Sequence, residues 1–398
     1  MSNLNNTSEI AHLHLWLEEN DFKYYTLNCV PDLRIIDRIS KKIPIVGVAW
    51  RQLFRLSPIN IRGKIGLSPK VIDPQSSILL SMAYLELLEG NIDFSFLTPF
   101  KKCFDRVLSL KSSNSKNFAI RQNKKLHLKL YKTSEEDISP LLTLWAGELF
   151  MSCYEYFGEE EYFLLAKGVR NYFIEEHPFK EDKTGIYFYY SPDSAFKIWN
   201  ASCEISSFLI KYGRLFSDDL ALERGQKGIN FILSKQRRDG SWFYGGEGIY
   251  TEYIDNFHTA FILKSLSRVL KYDFQDKINK SLDNGLDYYV QTLFKRPSKS
   301  TLRPKHFDPR HVPINSSIVQ KVDIRDCALS IFLFSELSFK EEKYAVHAKQ
   351  VLKWTNLNMK NKTTYFCEKT WLWSNRIPYI DSQAWMLLAM AKYHRQKI

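Results

Sequence analysis

Six segments of this chain are apolar on nearly every helical face, and amphipathic segments with one charged face lie between most of them. The apolar ones begin near Gln75, Pro140, Asn200, Asn256, Arg325 and Ser382, as in QSSILLSMAYLELL, PLLTLWAGELFMSCYEYF and SQAWMLLAMAKY. A helix that is apolar all round is buried, whereas one with a charged face lies at the surface. Residues 160–175, 219–235, 276–292 and 341–356 carry charged faces and are therefore predicted to be outer helices. From Asn200 the inner segments recur at steps of 56, 69 and 57 residues, two helices and their loops per repeat. The pattern predicts an all-α (α/α) toroid of about six hairpins. The only strand expected is in short pieces such as 187–190 and 364–367. Residues 73–398 are expected to form one cooperative ring, with 1–72 as a basic helical segment that packs on it or closes it.

The loops differ by position. Those after the inner segments are short and polar, while those after the outer segments are long and aromatic, as in RRDGSWFYGGEGIYTEYI and KTTYFCEKTWLWSNRIPYI. Asn200, Asp255, Asp323 and Asp381 stand at the starts of inner helices, where short polar side chains cap backbone N–H groups. All the inner N-termini and all the long loops then share one end of the ring, and function is expected there. Asp218 and Asp219 read best as a helix cap.

Gly228, Phe231, Ile232, Gln236, Gly240 and Trp242 (GINFILSKQRRDGSW) resemble the QW repeat of the α/α toroid cyclases. The glutamine there caps carbonyls at the end of an outer helix and stacks on the tryptophan. The cyclase acid motifs DxDD and DDxxD are absent, so terpenoid cyclisation is the least favoured activity. Over more of the chain, Trp50, Arg51, Gln52, Ser57, Pro58, Ile59, Asn60, Arg62 and Gly66, then Asp239 to Tyr244 and Asp255 to Thr259, resemble an uncharacterised family. That family belongs to surface-polysaccharide biosynthesis clusters and is related in fold to six-hairpin glycosidases. The resemblance implies a context in capsular, exopolysaccharide or O-antigen assembly and no particular reaction.

Composition narrows the classes further. At 44% apolar and 15% aromatic residues the chain buries a large core, which excludes disorder and a disulfide-stapled miniprotein. No apolar run reaches the roughly 18 residues that span a bilayer. The polar N-terminus lacks the pattern of a secretory signal, so a cytoplasmic location is expected. Six dispersed cysteines without CxxC spacing read as reduced core thiols rather than metal ligands, and no metal or cofactor is expected. The net charge of +12 is concentrated in residues 38–70, with eight basic and no acidic residues, and 111–132, with seven and none. Such patches suit an anionic membrane surface or an acidic glycan. No P-loop, GxGxxG after a strand or GxSxG appears, and nucleic acid is not an expected partner.

Candidate chemistry concentrates at the ends of the inner helices. Asp255 and His258 share one helix face beside an anion-favouring N-terminus, and Trp242, Tyr244 and Tyr250 offer flat faces for sugar C–H groups. Asp323, Arg325 and Asp326 form a second cluster, in which Arg325 either binds a carboxylate or pairs with its aspartate neighbour. Glu204 is a carboxylate in an otherwise buried helix, and Trp199, Asn200, Trp373, Asp381 and Gln383 are further inward-facing candidates. The basic loop that carries His306 and His311 is expected to line the rim. Two mechanisms are open. Epimerisation or β-elimination on a uronate requires a base, His258 or Tyr244, and the Arg325 cation. Hydrolysis requires two carboxylates, such as Glu204 with Asp326 or Asp381. A non-catalytic glycan-binding or scaffold protein, held at the membrane by residues 43–56, is the alternative to an enzyme.

Overall fold

In the computed structural model, which describes residues 2–26, 70–90, 94–123, 126–127, 132–191, 197–246, 251–313, 321–370 and 373–396, twelve α-helices alternate between two concentric layers. The inner layer is α2 (Pro74–Glu89), α4 (Pro140–Phe157), α6 (Trp199–Phe216), α8 (Asn256–Tyr272), α10 (Ile324–Leu337) and α12 (Ile380–Arg395). The outer layer is α1 (Ser2–Glu19), α3 (Leu97–Leu108), α5 (Glu160–Asn171), α7 (Asp219–Ser234), α9 (Asp276–Thr292) and α11 (Glu342–Asn358). Each inner helix packs on the next, and α12 packs on α2, which closes the ring. The fold is an (α/α) toroid of six hairpins. The sixth outer helix comes from the N-terminus: α1 lies against α12, and Glu9 accepts hydrogen bonds from Asn356 (2.6 Å) and Lys360 (3.0 Å). The motif at 50–66, the segment 43–56 and Tyr250 lie outside the described residues.

Local chemistry sets the helix ends. Asp73 and Ser139 cap α2 and α4 ahead of Pro74 and Pro140, whose fixed φ and missing N–H suit a first turn. Asp218 caps α7 by accepting from the Ala221 N–H at 2.9 Å. Gly158 ends α4 in the left-handed region, φ 75°, which only glycine enters without cost. Nearly the whole of α10 and α12 is buried, as their uniform apolarity requires. Among the described residues strand occurs only in short pieces, such as Gly185–Phe188 and Thr364–Tyr365. Five of the six cysteines are described, and all five are buried free thiols.

The long loops are stitched together at the N-terminal ends of the inner helices. Glu368–Lys369 pairs with both Val322–Asp323 and Ser374–Asn375, and isolated bridges join Asp255 to Phe307 and Ile198 to Gly245. These bonds carry the loop around His306 back onto the start of α8, where the Asn256 N–H donates to the His306 carbonyl at 3.0 Å.

Candidate active site at the ring mouth

Asp255 does two things at the head of α8. One carboxylate oxygen caps the helix by accepting from the His258 N–H at 2.7 Å, and the other meets His258 Nδ1 at 2.5 Å. Helix spacing makes this possible, since i and i+3 share a face and the cap residue looks down the first turn. Burial works against ionisation of Asp255, but the His258 contacts outweigh it and hold the carboxyl below its usual range. With Nδ1 engaged, Nε2 is the nitrogen left for proton transfer, and His258 is 28% exposed where Asp255 is 4%. Tyr244 stands edge-on to the imidazole at 4.5 Å and stacks on Tyr253 at 4.8 Å.

A second pair of the same kind stands beside it. His306 Nδ1 meets Asp326 Oδ2 at 2.7 Å, with the Asp326 side chain fully buried and His306 12% exposed. Burial raises the Asp326 carboxyl above its ordinary range, the nearby Asp323 and Asp255 add to the rise, and His306 offsets only part of it. Asp326 Oδ1 is buried and has no hydrogen-bond partner among the described residues. Arg325, whose role the sequence left between ligand and ion pair, makes the ion pair. Asp323 takes its Nε at 3.0 Å and its Nη2 at 2.8 Å, which leaves Nη1, and the guanidinium lies 5.4 Å from the Phe257 ring centre. Phe257 in turn stands 5.5 Å from His258, so cation and imidazole flank the same ring.

The other candidates from the sequence divide between this mouth and the packing around it. Asp381 in the first turn of α12 lies close enough to Arg325 to favour its charged form. Burial, with Tyr190, Tyr253 and Asp255 nearby, pushes the Tyr244 hydroxyl far up, so Tyr244 stays protonated and is a poor base. Glu204 lies deeper in the ring, where it accepts from Trp145 Nε1 at 3.0 Å and meets Lys264 Nζ at 3.4 Å. Asn200, at 3.4 Å from Glu204, leans on the same carboxylate. Trp199 packs against Phe231 of the outer layer. Trp242 is 1% exposed, with its indole N–H on the Ile232 carbonyl at 3.0 Å, so it presents no face to a ligand. Gln236 donates to the carbonyl of Gly240 in the following loop and to that of Ser281 within α9, not to carbonyls at the end of its own helix α7. Gln383 holds the Tyr365 N–H and carbonyl at 2.8 and 2.9 Å, which occupies its amide with backbone. Trp373 is half-buried, and its backbone N–H donates to the Thr370 hydroxyl at 2.9 Å. The hairpin of Phe294–Ser298 with Thr301–Pro304 packs on α11, with Arg303 beside Trp354, so this part of the basic loop faces the outer layer and not the rim. His306 is the residue the sequence reading missed as a partner of Asp326. Its signal was the HFDPRH loop, but the Asp326 that engages it is 20 positions away.

Between the mouth and the opposite end, Trp145, Phe257, Phe261 and Trp385 form an aromatic layer with ring centres 4.8 to 5.8 Å apart. Beyond that layer a small chamber of about 40 Å³ at Glu204 and Lys264 adjoins a cavity of about 480 Å³ at the C-terminal ends of the inner helices. Among the described residues no group of three or more His, Cys, Asp or Glu is placed to hold a metal, and no helix is long and apolar enough to cross a membrane.

No protein-family model matches the chain, and no curated protein matches it in sequence. Solved structures do match in fold. An unsaturated glucuronyl hydrolase specific for heparin superposes with a TM-score of 0.62 at 12% identity, over 98% of this chain and 96% of its own. A family 76 mannosidase from Bacteroides thetaiotaomicron gives 0.60 at 10% identity over 82% and 88%. Cellobiose 2-epimerase from Bacillus thermoamylovorans gives 0.59 at 10% identity over 80% and 87%. At these identities the likeness is one of fold, the six-hairpin glycosidase-like toroid.

Proposed function

We propose that this protein is a carbohydrate-active enzyme that moves a proton next to the carboxylate of an acidic glycan, as an epimerase or a lyase does. The observation that carries the reading is the pair of histidines at one mouth, each bonded through Nδ1 to a buried aspartate with Nε2 left over. Imidazole is the side chain best suited to take and return a proton near neutral pH, and a buried carboxylate on its far nitrogen fixes the tautomer and stabilises the imidazolium. In this mechanism His258 Nε2 takes the proton from the carbon beside the substrate carboxylate. The electron pair left behind spreads onto that carboxylate, where Arg325 Nη1 stabilises the developing charge. In epimerisation the protonated Nε2 of His306 delivers a proton to the opposite face of that carbon, and His258 later releases its own proton to solvent. In elimination the electron pair forms a C=C bond to the adjacent carbon as that carbon's bond to the glycosidic oxygen breaks, and the oxygen leaves as a hydroxyl with a proton from His306. Both outcomes balance without a cofactor.

The fold neighbours support a glycan as the substrate, since those named here act on glycans or saccharides. Hydrolysis is the weaker reading, because it requires a free carboxylate pair and Glu204 is already held by Trp145 and Lys264. The resemblance over 50–66, 239–244 and 255–259 supports a place in surface-polysaccharide assembly, and the acid-free basic stretch 38–70 supports work at the inner face of the cytoplasmic membrane. The test is turnover of uronate-containing oligosaccharides. His258→Ala should abolish it with folding and glycan binding nearly intact, and Arg325→Ala should weaken binding as well. If His258→Ala keeps full activity, proton transfer at this histidine is ruled out. If wild type binds glycan but never turns it over, the protein is a glycan-binding scaffold.

A further inference from the structure

Two stretches of the chain, 288–307 and 343–367, carry five basic residues each and no acidic one. The fold lays them together, because the hairpin of Phe294–Ser298 with Thr301–Pro304 packs on α11. Lys295, Arg296, Lys299 and Arg303 of the hairpin and Lys349 and Lys353 of α11 thereby share one part of the outer wall, and all but Arg303 are exposed. Among the described residues none of the six forms an ion pair. The side-chain bonds they make go to neutral groups, Arg296 to Gln350 at 3.3 Å and Lys353 to Ser300 at 3.1 Å. The carboxylates that do reach α11 act beyond this part, Glu341 on Lys343 and Glu9 on Lys360. Elsewhere on the wall cations are paired, Lys227 with Glu181 and Glu223 and Lys116 with Glu175.

The excess of positive charge is held against its own repulsion. Lys295 and Arg303 stand directly opposite each other in the hairpin ladder, where like charges are destabilising. Arg303 Nε is buried and has no hydrogen-bond partner among the described residues. Burial lowers the Lys369 pKa on the strand next to α11, and Arg303 and Arg376 lower it further. A polyanion relieves such a field, and the hairpin places it beside the mouth, since Thr301–Pro304 is followed at once by Lys305 and His306. The exposed tip, residues 295–300, carries no aromatic or large aliphatic side chain to enter a bilayer, which favours a hydrated polyanion over a membrane.

We propose that the wall formed by this hairpin and α11 is a binding track for an acidic polysaccharide, holding the chain beyond the sugar that occupies the mouth. The substrate is then a polymer with repeated carboxylates and not an isolated sugar acid. That use of the track rests on the acidic-glycan reading of the mouth, whereas its binding of a polyanion does not.

Isothermal titration of the full chain with polygalacturonate tests it, with digalacturonate, neutral dextran and phosphatidylserine vesicles as separate probes. Wild type should bind polygalacturonate saturably, with an affinity that falls as salt is added, and should not bind dextran. Digalacturonate is too short to reach from mouth to track and should bind at least tenfold more weakly than the polymer. The triple variant Lys295→Gln, Lys299→Gln and Lys349→Gln should lose tenfold or more in affinity for polygalacturonate. Its three positions are exposed and unpaired, so its melting temperature should match wild type. His258→Ala should bind the polymer as wild type does, and turnover plays no part in the readout, so failure of the proton-transfer reading leaves the track standing. No saturable binding to wild type, undiminished binding to the triple variant, or dextran bound as tightly as polygalacturonate would each overturn the proposal. Digalacturonate bound as tightly as the polymer would overturn the polymeric substrate. Vesicle binding that is lost in the triple variant while polygalacturonate binding persists would give the wall to a membrane instead.

Discussion

Replacing Glu204 by Gln separates a structural carboxylate from a catalytic one. The substitution keeps an oxygen acceptor for Trp145 Nε1 and removes the charge that faces Lys264 at 3.4 Å. Burial already drives the Lys264 amine down, and Glu204 is the first of the neighbours that offset it. Breaking a buried pair from one side costs about 3–5 kcal/mol, because the partner charge is left in a poor solvent. At roughly 2.1 cal/mol/K per residue, 398 residues give an unfolding entropy of about 0.8 kcal/mol/K, so the melting temperature should fall by about 4–6 °C. Adding Lys264→Met removes the stranded charge and keeps the side-chain volume, so the double variant should melt within about 2 °C of wild type. Thermal unfolding followed by circular dichroism at pH 7 reads all three proteins. A Glu204→Gln protein that melts with wild type and has lost turnover would refute the structural role of Glu204 and revive two-carboxylate hydrolysis.

Other outcomes follow from the same geometry. His177 is buried with its Nε2 on the Tyr189 carbonyl at 2.9 Å, and burial pulls its pKa from 6.5 down to about 4. The folded chain keeps it neutral while the unfolded chain takes the proton, so its contribution is full above pH 6.5 and is lost as pH falls towards 4. That loss is about 3 kcal/mol, and denaturant unfolding of His177→Gln should show a correspondingly flatter pH dependence over that window. Gly285→Ala should destabilise by about 1–3 kcal/mol in denaturant unfolding, since a Cβ there would sit 2.7 Å from Leu263 Cδ2 and 2.8 Å from the Trp242 ring. Asp255→Asn keeps an oxygen to cap α8 but not the charge behind His258. It should cut kcat by about 10²- to 10⁴-fold in steady-state assays with little change in melting.

The ring was legible because burial on all sides and burial on one side leave different periodicities. All six inner helices begin within two residues of the places where the apolar runs begin. The sixth outer helix was less visible, since α1 packs on α12 across the whole length of the chain and no local pattern encodes that partner. At the mouth, Asp255 and His258 were readable as a cap and its i+3 neighbour on one face. The Asp326–His306 pair was not, because it depends on backbone bonds that fold a loop back onto α8. Trp242 and Gln383 show the converse. A buried tryptophan and a stacking platform look alike in sequence, as do an amide that binds ligand and one that binds backbone. The cavity at the C-terminal ends had a sign that went unused: Glu86, Glu148, Glu336 and Lys392, which line it, each interrupt an otherwise apolar inner helix.

The central claim is proton transfer by His258, and solvent isotope exchange tests it most directly. The full chain is incubated in D2O with uronate-containing oligosaccharides, and the recovered sugars are read by mass spectrometry and NMR. The account predicts deuterium at the carbon next to the carboxylate, or an unsaturated product from loss of that hydrogen, with neither formed by His258→Ala. Saturated hydrolysis products without exchange, or exchange that persists in His258→Ala, would contradict it.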